Sequence, residues 1–221
     1  MCSVSSVSSL VESYLPGHHV ILGRPGSGKS SLARLLTREA RRLLVVDTLA
    51  EYADSDLARV DDDGLLDALL AAGDDGGYRL AWTPIAESGD PVALPWQFAC
   101  GASAARCDST LLLDELDYWL PRGACQPLPG ELAAILRYGR HYRQSVVAVV
   151  RRPADISRTL TAFATVWAFC LYEPRDRQYI AALGGPDPAT LEPHVVARIP
   201  GRTGPYDLYR LELGPLRLEP A

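Results

Sequence analysis

Residues 23–31 have the types and spacing of a phosphate-binding loop. The segment "GRPGSGKS", which begins at Gly23, fits the pattern G-x-x-x-x-G-K-[ST]. Glycines let backbone N–H groups approach phosphate oxygens without a Cβ in the way, and a helix N-terminus adds partial positive charge. The residues expected to bind a nucleotide are Gly23, Arg24, Pro25, Gly26, Ser27, Gly28, Lys29, Ser30 and Ser31.

Two side chains of this loop have specific expected roles. Lys29 is placed to neutralise the β- and γ-phosphates, and the Ser30 hydroxyl is a ligand for Mg²⁺. A chance glycine turn would also fit so short a pattern. An apolar strand before the loop and the helix-forming run "SSLARLL" after it favour the nucleotide site.

A carboxylate pair follows a second apolar run. The stretch "STLLLDELD" ends a predicted strand at Asp114 and Glu115, as in a Walker B motif. Asp114 is expected to hold the Mg²⁺ shell, and Glu115 to orient and deprotonate the attacking water. A solvated turn would carry the same residues. A small-molecule kinase excludes water and does not need such a glutamate, so the pair favours hydrolysis over phosphoryl transfer to a metabolite.

The elements that position these residues alternate between apolar strands and helical segments, which is typical of an α/β protein with a mainly parallel sheet. The predicted strands are His19–Leu22, Leu43–Asp47, Tyr78–Thr83, Thr110–Asp114, Val146–Val150 and Val166–Leu171. The predicted helices are Lys29–Ala40, Asp63–Ala72, Pro95–Ala105, Gly130–Tyr142, Ile156–Phe163 and Arg175–Leu183. Two C-terminal strands, Val195–Ile199 and Tyr206–Leu213, are predicted to form a hairpin around Gly201–Gly204.

Composition indicates an ordinary globular protein. The chain has 221 residues, of which 48% are hydrophobic and 22% charged, and this length suits one domain over 1–221. Within it, 1–16 is an N-terminal extension and 192–221 holds the C-terminal strands. The formal charge of −5 mildly disfavours nucleic-acid binding through the whole surface. Five scattered cysteines favour reduced thiols, and Leu160–Tyr172 is shorter than the ~20 apolar residues of a membrane span.

Further segments resemble the FtsK–HerA superfamily of ring-forming, DNA-pumping ATPases, most closely the genome-packaging ATPases of membrane-containing icosahedral viruses. The segment "VVDTLAEY" is similar to the superfamily's V-x-D-P-x-x-E-Y, with Asp47, Glu51 and Tyr52 matching and Thr48 replacing proline. The stretches "LRYGRHYRQSVVAVVRRPADISRTL" and "FCLYEPRDRQYIAALG" resemble the helices and strands that follow Walker B. The resemblance implies a RecA-like (ASCE) three-layer sandwich, ATP rather than GTP as the nucleotide, and Mg²⁺.

One position departs from the family pattern. Where family members have a glutamine that senses the γ-phosphate, this sequence has Arg151, in "VRRP". A guanidinium contacts a phosphate more strongly than an amide does, because it is charged and forked. It cannot accept a hydrogen bond from the attacking water. A strand-end arginine paired with a surface acid is the alternative.

The resemblance also implies that the nucleotide lies between neighbouring subunits and that an arginine of the next subunit completes the site. Arg140 matches the family's G-R position and is the candidate, although Arg137 and Arg143 are close to it in sequence. The implied assembly is a homo-oligomeric ring, a hexamer or a pentamer, with double-stranded DNA in its channel.

The expected function is therefore an ATPase that moves viral DNA into a procapsid. This implies the procapsid vertex as a partner, no transmembrane segment, and a location in the cytoplasm of the infected host cell or at the virion vertex. The alternatives are a cellular HerA- or FtsK-like translocase, a P-loop nucleotide kinase, and a non-motor phage assembly ATPase.

Overall fold

One sheet organises the chain. The computed structural model describes residues 17–52, 56–73, 76–83, 95–120, 128–200 and 205–221, and the predicted extension 1–16 lies outside them. The strands of these residues are β1 (His18–Leu22), β2 (Arg42–Val46), β3 (Ala58–Val60), β4 (Tyr78–Trp82), β5 (Thr110–Leu113), β6 (Ser145–Val150), β7 (Ala164–Ala168), β8 (Val195–Ile199), β9 (Asp207–Glu212) and β10 (Arg217–Pro220). Their order across the sheet is β10-β9-β8-β7-β1-β6-β5-β2-β4-β3.

Helices connect most of these strands. They are α1 (Lys29–Thr37), α2 (Asp62–Ala72), α3 (Pro95–Ala104), α4 (Leu116–Trp119), α5 (Gly130–Tyr138), α6 (Arg158–Phe163) and α7 (Pro174–Ala182). Short 3₁₀ turns lie at Gly139–Tyr142, Pro153–Asp155 and Pro188–Thr190. No helix in the described ranges is both long and apolar enough to cross a bilayer.

The sheet is the middle of three layers. Successive β1 side chains alternate between two apolar clusters, so Val20 and Leu22 pack with α5 and α7 on one face, whereas Ile21 packs with α1 on the other. Because helices cover both faces, the central strands are apolar throughout rather than alternating. The predicted α/β three-layer sandwich with a mainly parallel sheet is confirmed.

The C-terminal strands form an antiparallel edge. The predicted pairing of two strands is confirmed as β8 with β9, and β8 also pairs antiparallel with β7. The sequence did not predict a third C-terminal strand, β10, which pairs antiparallel with β9 in a second hairpin. Strand β10 is four residues long and ends in Pro220, so it lacks a clear strand pattern. The predicted turn at Gly201–Gly204 lies outside the described residues.

Some predicted helix ends were wrong. The helix predicted over Gly130–Tyr142 is α-helical only to Tyr138 and continues as a 3₁₀ turn that Arg143 closes in a left-handed conformation (φ 53°). The helix predicted over Lys29–Ala40 ends at Thr37. The first difference places Arg140 in the 3₁₀ turn rather than in the helix, and the second moves no predicted site residue.

Strand direction sorts the loops between two edges of the sheet. Strands β7, β1, β6, β5, β2, β4 and β3 are mutually parallel. The loops that follow them meet at one edge, here called the carboxyl edge. The segments that lead into them meet at the opposite, amino edge. In open α/β sheets ligands bind outside the carboxyl ends of the strands.

Candidate functional site: a phosphate loop facing a carboxylate pair

The predicted phosphate loop joins β1 to α1 at the carboxyl edge. Gly28, the residue before α1, has φ 103°, a left-handed conformation that glycine adopts without strain. At Gly23 a Cβ would lie 2.6 Å from the Ser27 Oγ and 2.8 Å from the Phe169 Cβ, so a side chain cannot fit there. Both positions therefore need glycine to form this loop.

The loop has polar groups without a hydrogen-bond partner. Helix α1 begins without a side-chain cap, so the N–H groups of its first turn have no capping acceptor. The buried Ser27 hydroxyl has no hydrogen-bond partner within the described residues. Phosphate oxygens would satisfy the N–H groups at the start of α1, so the loop fits the nucleotide that its sequence predicts.

Lys29 lies across the loop. Its side chain is buried and its Nζ donates a hydrogen bond to the Arg24 carbonyl oxygen at 2.9 Å. Burial lowers the pKa of Lys29, the nearby Arg151 guanidinium lowers it further, and Asp114 opposes the change. A phosphate beside the ammonium would remove this cost, because an anion stabilises the charged form.

Asp114 follows β5 at the same edge. Only 2% of it is exposed, and its backbone N–H donates to the Val46 carbonyl oxygen, 3.1 Å away, at the end of β2. Burial raises the pKa of the Asp114 carboxyl to about 7, and the neighbouring carboxylates Glu51 and Asp47 contribute to the shift. A bound cation would reverse this shift, which is what a Mg²⁺ ligand requires.

Glu115 and Arg151 contact each other directly. The Arg151 guanidinium donates a hydrogen bond to the Glu115 carboxylate and forms an ion pair with it. The Arg151 backbone N–H also donates to Asp117 Oδ1 at 3.2 Å. The alternative, a strand-end arginine paired with an acid, is therefore seen in the structure, and the acid is Glu115, whose side chain is mostly buried.

A further carboxylate reaches the site from the segment after β2. Asp47 is fully buried, and its two oxygens accept hydrogen bonds from the backbone N–H groups of Glu51 (2.8 Å) and Tyr52 (2.9 Å). This turn directs Glu51 to the site. The sequence indicates no role for Glu51, because over 60 residues separate it from Asp114 and no local pattern specifies that the two lie close together.

One small cavity of about 110 Å³ collects these groups. It is lined by Pro25, Gly26, Lys29, Ser30, Glu51, Asp114, Glu115, Val149 and Arg151. The structure thus brings together the predicted lysine, serine, aspartate, glutamate and sensor arginine. Within the described ranges, no three His, Cys, Asp or Glu side chains form a metal site on their own. Ser30 and Asp114 match Mg²⁺, which binds few protein ligands and completes its shell with phosphates and water.

Arg140 lies elsewhere. With Arg137 and Arg143 it lines a separate cavity of about 340 Å³, together with His18 at the start of β1 and Gln144 just before β6. This is the amino edge, separated from the phosphate loop by the length of β1, or roughly 15 Å at ~3.3 Å per residue. Arg140 therefore lies away from the nucleotide site of its own chain.

Comparisons with known proteins agree on the fold. No protein-family model and no curated protein matches the sequence. The genome packaging NTPase B204 from Sulfolobus turreted icosahedral virus 2, in complex with ATP-gammaS, has a TM-score of 0.69 at 16% identity, covering 87% of this chain and 96% of that chain. VirB4 of Thermoanaerobacter pseudethanolicus has a TM-score of 0.61 at 11% identity, covering 92% and 90%. The bacterial conjugative coupling protein TrwB has a TM-score of 0.61 at 12% identity, covering 93% and 88%.

Proposed function

We propose that this chain, which has the fold of the P-loop ATPases named above, is an ATP-hydrolysing motor that moves double-stranded DNA into a viral procapsid. The observation that supports hydrolysis is the cavity that Lys29, Ser30, Asp114 and Glu115 share. Phosphate-binding donors, a cation site and a carboxylate placed to activate water are the three parts that nucleotide hydrolysis needs.

Each side chain has a role that follows from its position. The loop N–H groups and Lys29 hold the β- and γ-phosphates, since the Lys29 ammonium has two further N–H donors besides the one bonded to the Arg24 carbonyl. Ser30 and Asp114 hold Mg²⁺. Once bound, Mg²⁺ supplies electrostatic stabilisation of the charge that develops on the transferred phosphoryl group.

Glu115 is the proposed general base. It orients a water and takes its proton as the water attacks the γ-phosphate, a contribution of typically 10²–10⁴-fold to the rate. Its place directly after Asp114 keeps the carboxylate beside the phosphate loop. Phosphoryl transfer to a small acceptor would not need this carboxylate, so its position favours water as the acceptor.

Arg140 is proposed to act on the neighbouring subunit. The amino edge carries exposed arginines, whereas the carboxyl edge carries Glu51, Asp114, Glu115 and Asp117. A head-to-tail contact would place the arginines of one subunit against the nucleotide of the next, and repetition of that contact closes a ring. We propose a hexamer or a pentamer.

The DNA and procapsid steps rest on the similarity in fold to B204, a genome packaging NTPase. The net charge of −5 means that contact with duplex DNA has to come from local basic loops around a ring channel. The proposed location is the cytoplasm of an infected cell, with the virion vertex as the site of packaging.

ATP hydrolysis by the wild type and the Glu115→Gln variant tests this function, with and without duplex DNA. We expect DNA to stimulate the wild type and Glu115→Gln to lose at least ~100-fold in turnover while it still binds ATP. Turnover that requires a nucleoside acceptor would instead indicate a kinase. A rate of ATP hydrolysis that changes neither with duplex DNA nor with a nucleoside acceptor would indicate a non-motor assembly ATPase.

A further inference from the structure

The contact between Arg151 and Glu115 joins two groups that hydrolysis needs apart. Arg151 is the first residue after β6 and Glu115 follows β5, and these two strands are hydrogen-bonded neighbours. The side chain of Glu115 is 15% exposed and that of Arg151 is 44% exposed, so the pair closes one side of the cavity. In this arrangement the Arg151 guanidinium binds the Glu115 carboxylate, which has to orient and deprotonate a water for hydrolysis.

The backbone fixes both partners of this pair. Glu115 has φ 51° and ψ 47°, a left-handed conformation that is unfavourable for a residue with a side chain. The hydrogen bond from the Arg151 N–H to Asp117 ties the end of β6 to the turn that contains Glu115. Arg151 can therefore exchange its side-chain partner without leaving the site.

A γ-phosphate would be the stronger partner for this guanidinium. Arg151 and Lys29 line the same cavity, and the charge of Arg151 lowers the pKa of Lys29. Two cations that face one small space favour an anion between them. A terminal phosphate carries more charge than a carboxylate and offers oxygens that match the guanidinium fork.

We propose that Arg151 is a switch that holds Glu115 until the γ-phosphate takes over its guanidinium. Glu115 is then available to activate water only when a nucleoside triphosphate is bound. A diphosphate leaves the ion pair between Arg151 and Glu115 intact. This inference rests on the proposed ATPase function. It explains how arginine acts at a position where a glutamine could bind phosphate but could not form an ion pair with Glu115.

The test is a double-mutant cycle on nucleotide affinity. Binding of AMPPCP with Mg²⁺, and of ADP with Mg²⁺, is measured by calorimetry for the wild type, Glu115→Gln, Arg151→Ala and the double variant. Because Glu115 competes for Arg151, Glu115→Gln should bind AMPPCP about three- to tenfold more tightly than the wild type, the range expected for one partly exposed ion pair. ADP affinity should change less than twofold.

The Arg151→Ala background distinguishes the switch from simple charge repulsion. If Glu115 acts by competing for Arg151, the gain from Glu115→Gln shrinks in that background. A gain that is equal or larger there, or an equal gain for ADP, would overturn the proposal. Arg177→Ala, which removes an exposed ion pair with Asp187 outside this cavity, is the matched control and should leave both affinities unchanged.

Two safeguards keep the result interpretable. Arg151→Met retains most of the side-chain volume without the charge, and it replaces Arg151→Ala if circular dichroism shows that the alanine variant is unfolded. If the wild type binds neither nucleotide, the proposed ATPase function fails. If it binds both and the cycle is additive, only the switch fails.

Discussion

The two edges of the sheet differ in charge and in what they lack. The carboxyl edge holds a phosphate loop and carboxylates. Lys29 is buried there, and Arg151 is paired with Glu115. The amino edge holds Arg137 and Arg140, for which no described ion pair is seen, and Arg143, which lies 3.5 Å from Asp108. Under the proposal that Arg140 acts on a neighbouring subunit, the phosphate loop of one chain and the amino-edge arginine of the next together form the complete site.

The largest expected effect comes from removing the arginine of the amino edge. Arg140→Ala should lower ATP turnover by ~10³–10⁵-fold, the usual contribution of an arginine finger, because the transition-state charge loses its partner. ATP affinity should stay near normal, since Arg140 does not touch the phosphate loop of its own chain. Steady-state hydrolysis and calorimetry measure the two quantities.

Arg143→Ala is the matched control for this prediction. Arg143 is also exposed and lines the same cavity, but its guanidinium is engaged with Asp108. We expect its turnover to change only a few-fold. If Arg140→Ala hydrolyses ATP within a few-fold of the wild type, the amino edge does not complete the site.

A smaller effect concerns the stability of the carboxyl edge. Because burial raises the pKa of Asp114 to about 7, the folded chain binds a proton that the unfolded chain has lost above pH ~4. The resulting stability is present at low pH and is lost as the pH rises through 7. Asp114→Asn avoids this loss, so without nucleotide it should be more stable than the wild type at pH 8, by on the order of 4 kcal/mol.

Urea unfolding at several pH values with EDTA measures this difference, which should shrink toward zero as the pH approaches 4. Asp67→Asn, an exposed substitution on α2, should show no comparable pH dependence. An Asp114→Asn variant that is less stable than the wild type at pH 8 would mean that the ionised carboxylate is stabilised where it lies.

The smallest effect sharpens the role of Glu51. Its negative charge is one cause of the raised pKa of Asp114. Glu51→Gln should lower the pKa of Asp114, so the loss of stability with rising pH should occur at lower pH. The change in the free energy of unfolding at pH 8 should be smaller than that caused by Asp114→Asn. An unchanged pH profile for Glu51→Gln would place the Glu51 carboxylate too far from Asp114 to matter.

The sequence predicted the central fold well for a physical reason. Strands β1, β2, β5 and β6 are covered on both faces, so they are uninterrupted apolar runs that stand out in the sequence. Strand β3 is only three residues long with exposed positions at the sheet border, and so it lacks that pattern. Helix α4 has four residues, too few for helical periodicity.

The candidate site was predictable in its local parts only. Lys29 and Ser30 follow from one continuous motif, and Asp114 and Glu115 from another. The contact between Arg151 and Glu115 depends on β6 lying next to β5, which no local pattern specifies. The approach of Glu51 depends likewise on the turn that Asp47 builds after β2.

Mixing two inactive variants tests most directly whether one site needs both edges. Lys29→Ala lacks the phosphate cradle and Arg140→Ala lacks the amino-edge arginine, so each should be inactive alone. When the two are mixed in equal amounts and assembled, about a quarter of the head-to-tail contacts join an intact cradle to an intact arginine. The account predicts that ATP hydrolysis returns to about that fraction of the wild-type rate. A mixture that co-assembles and stays inactive would contradict it.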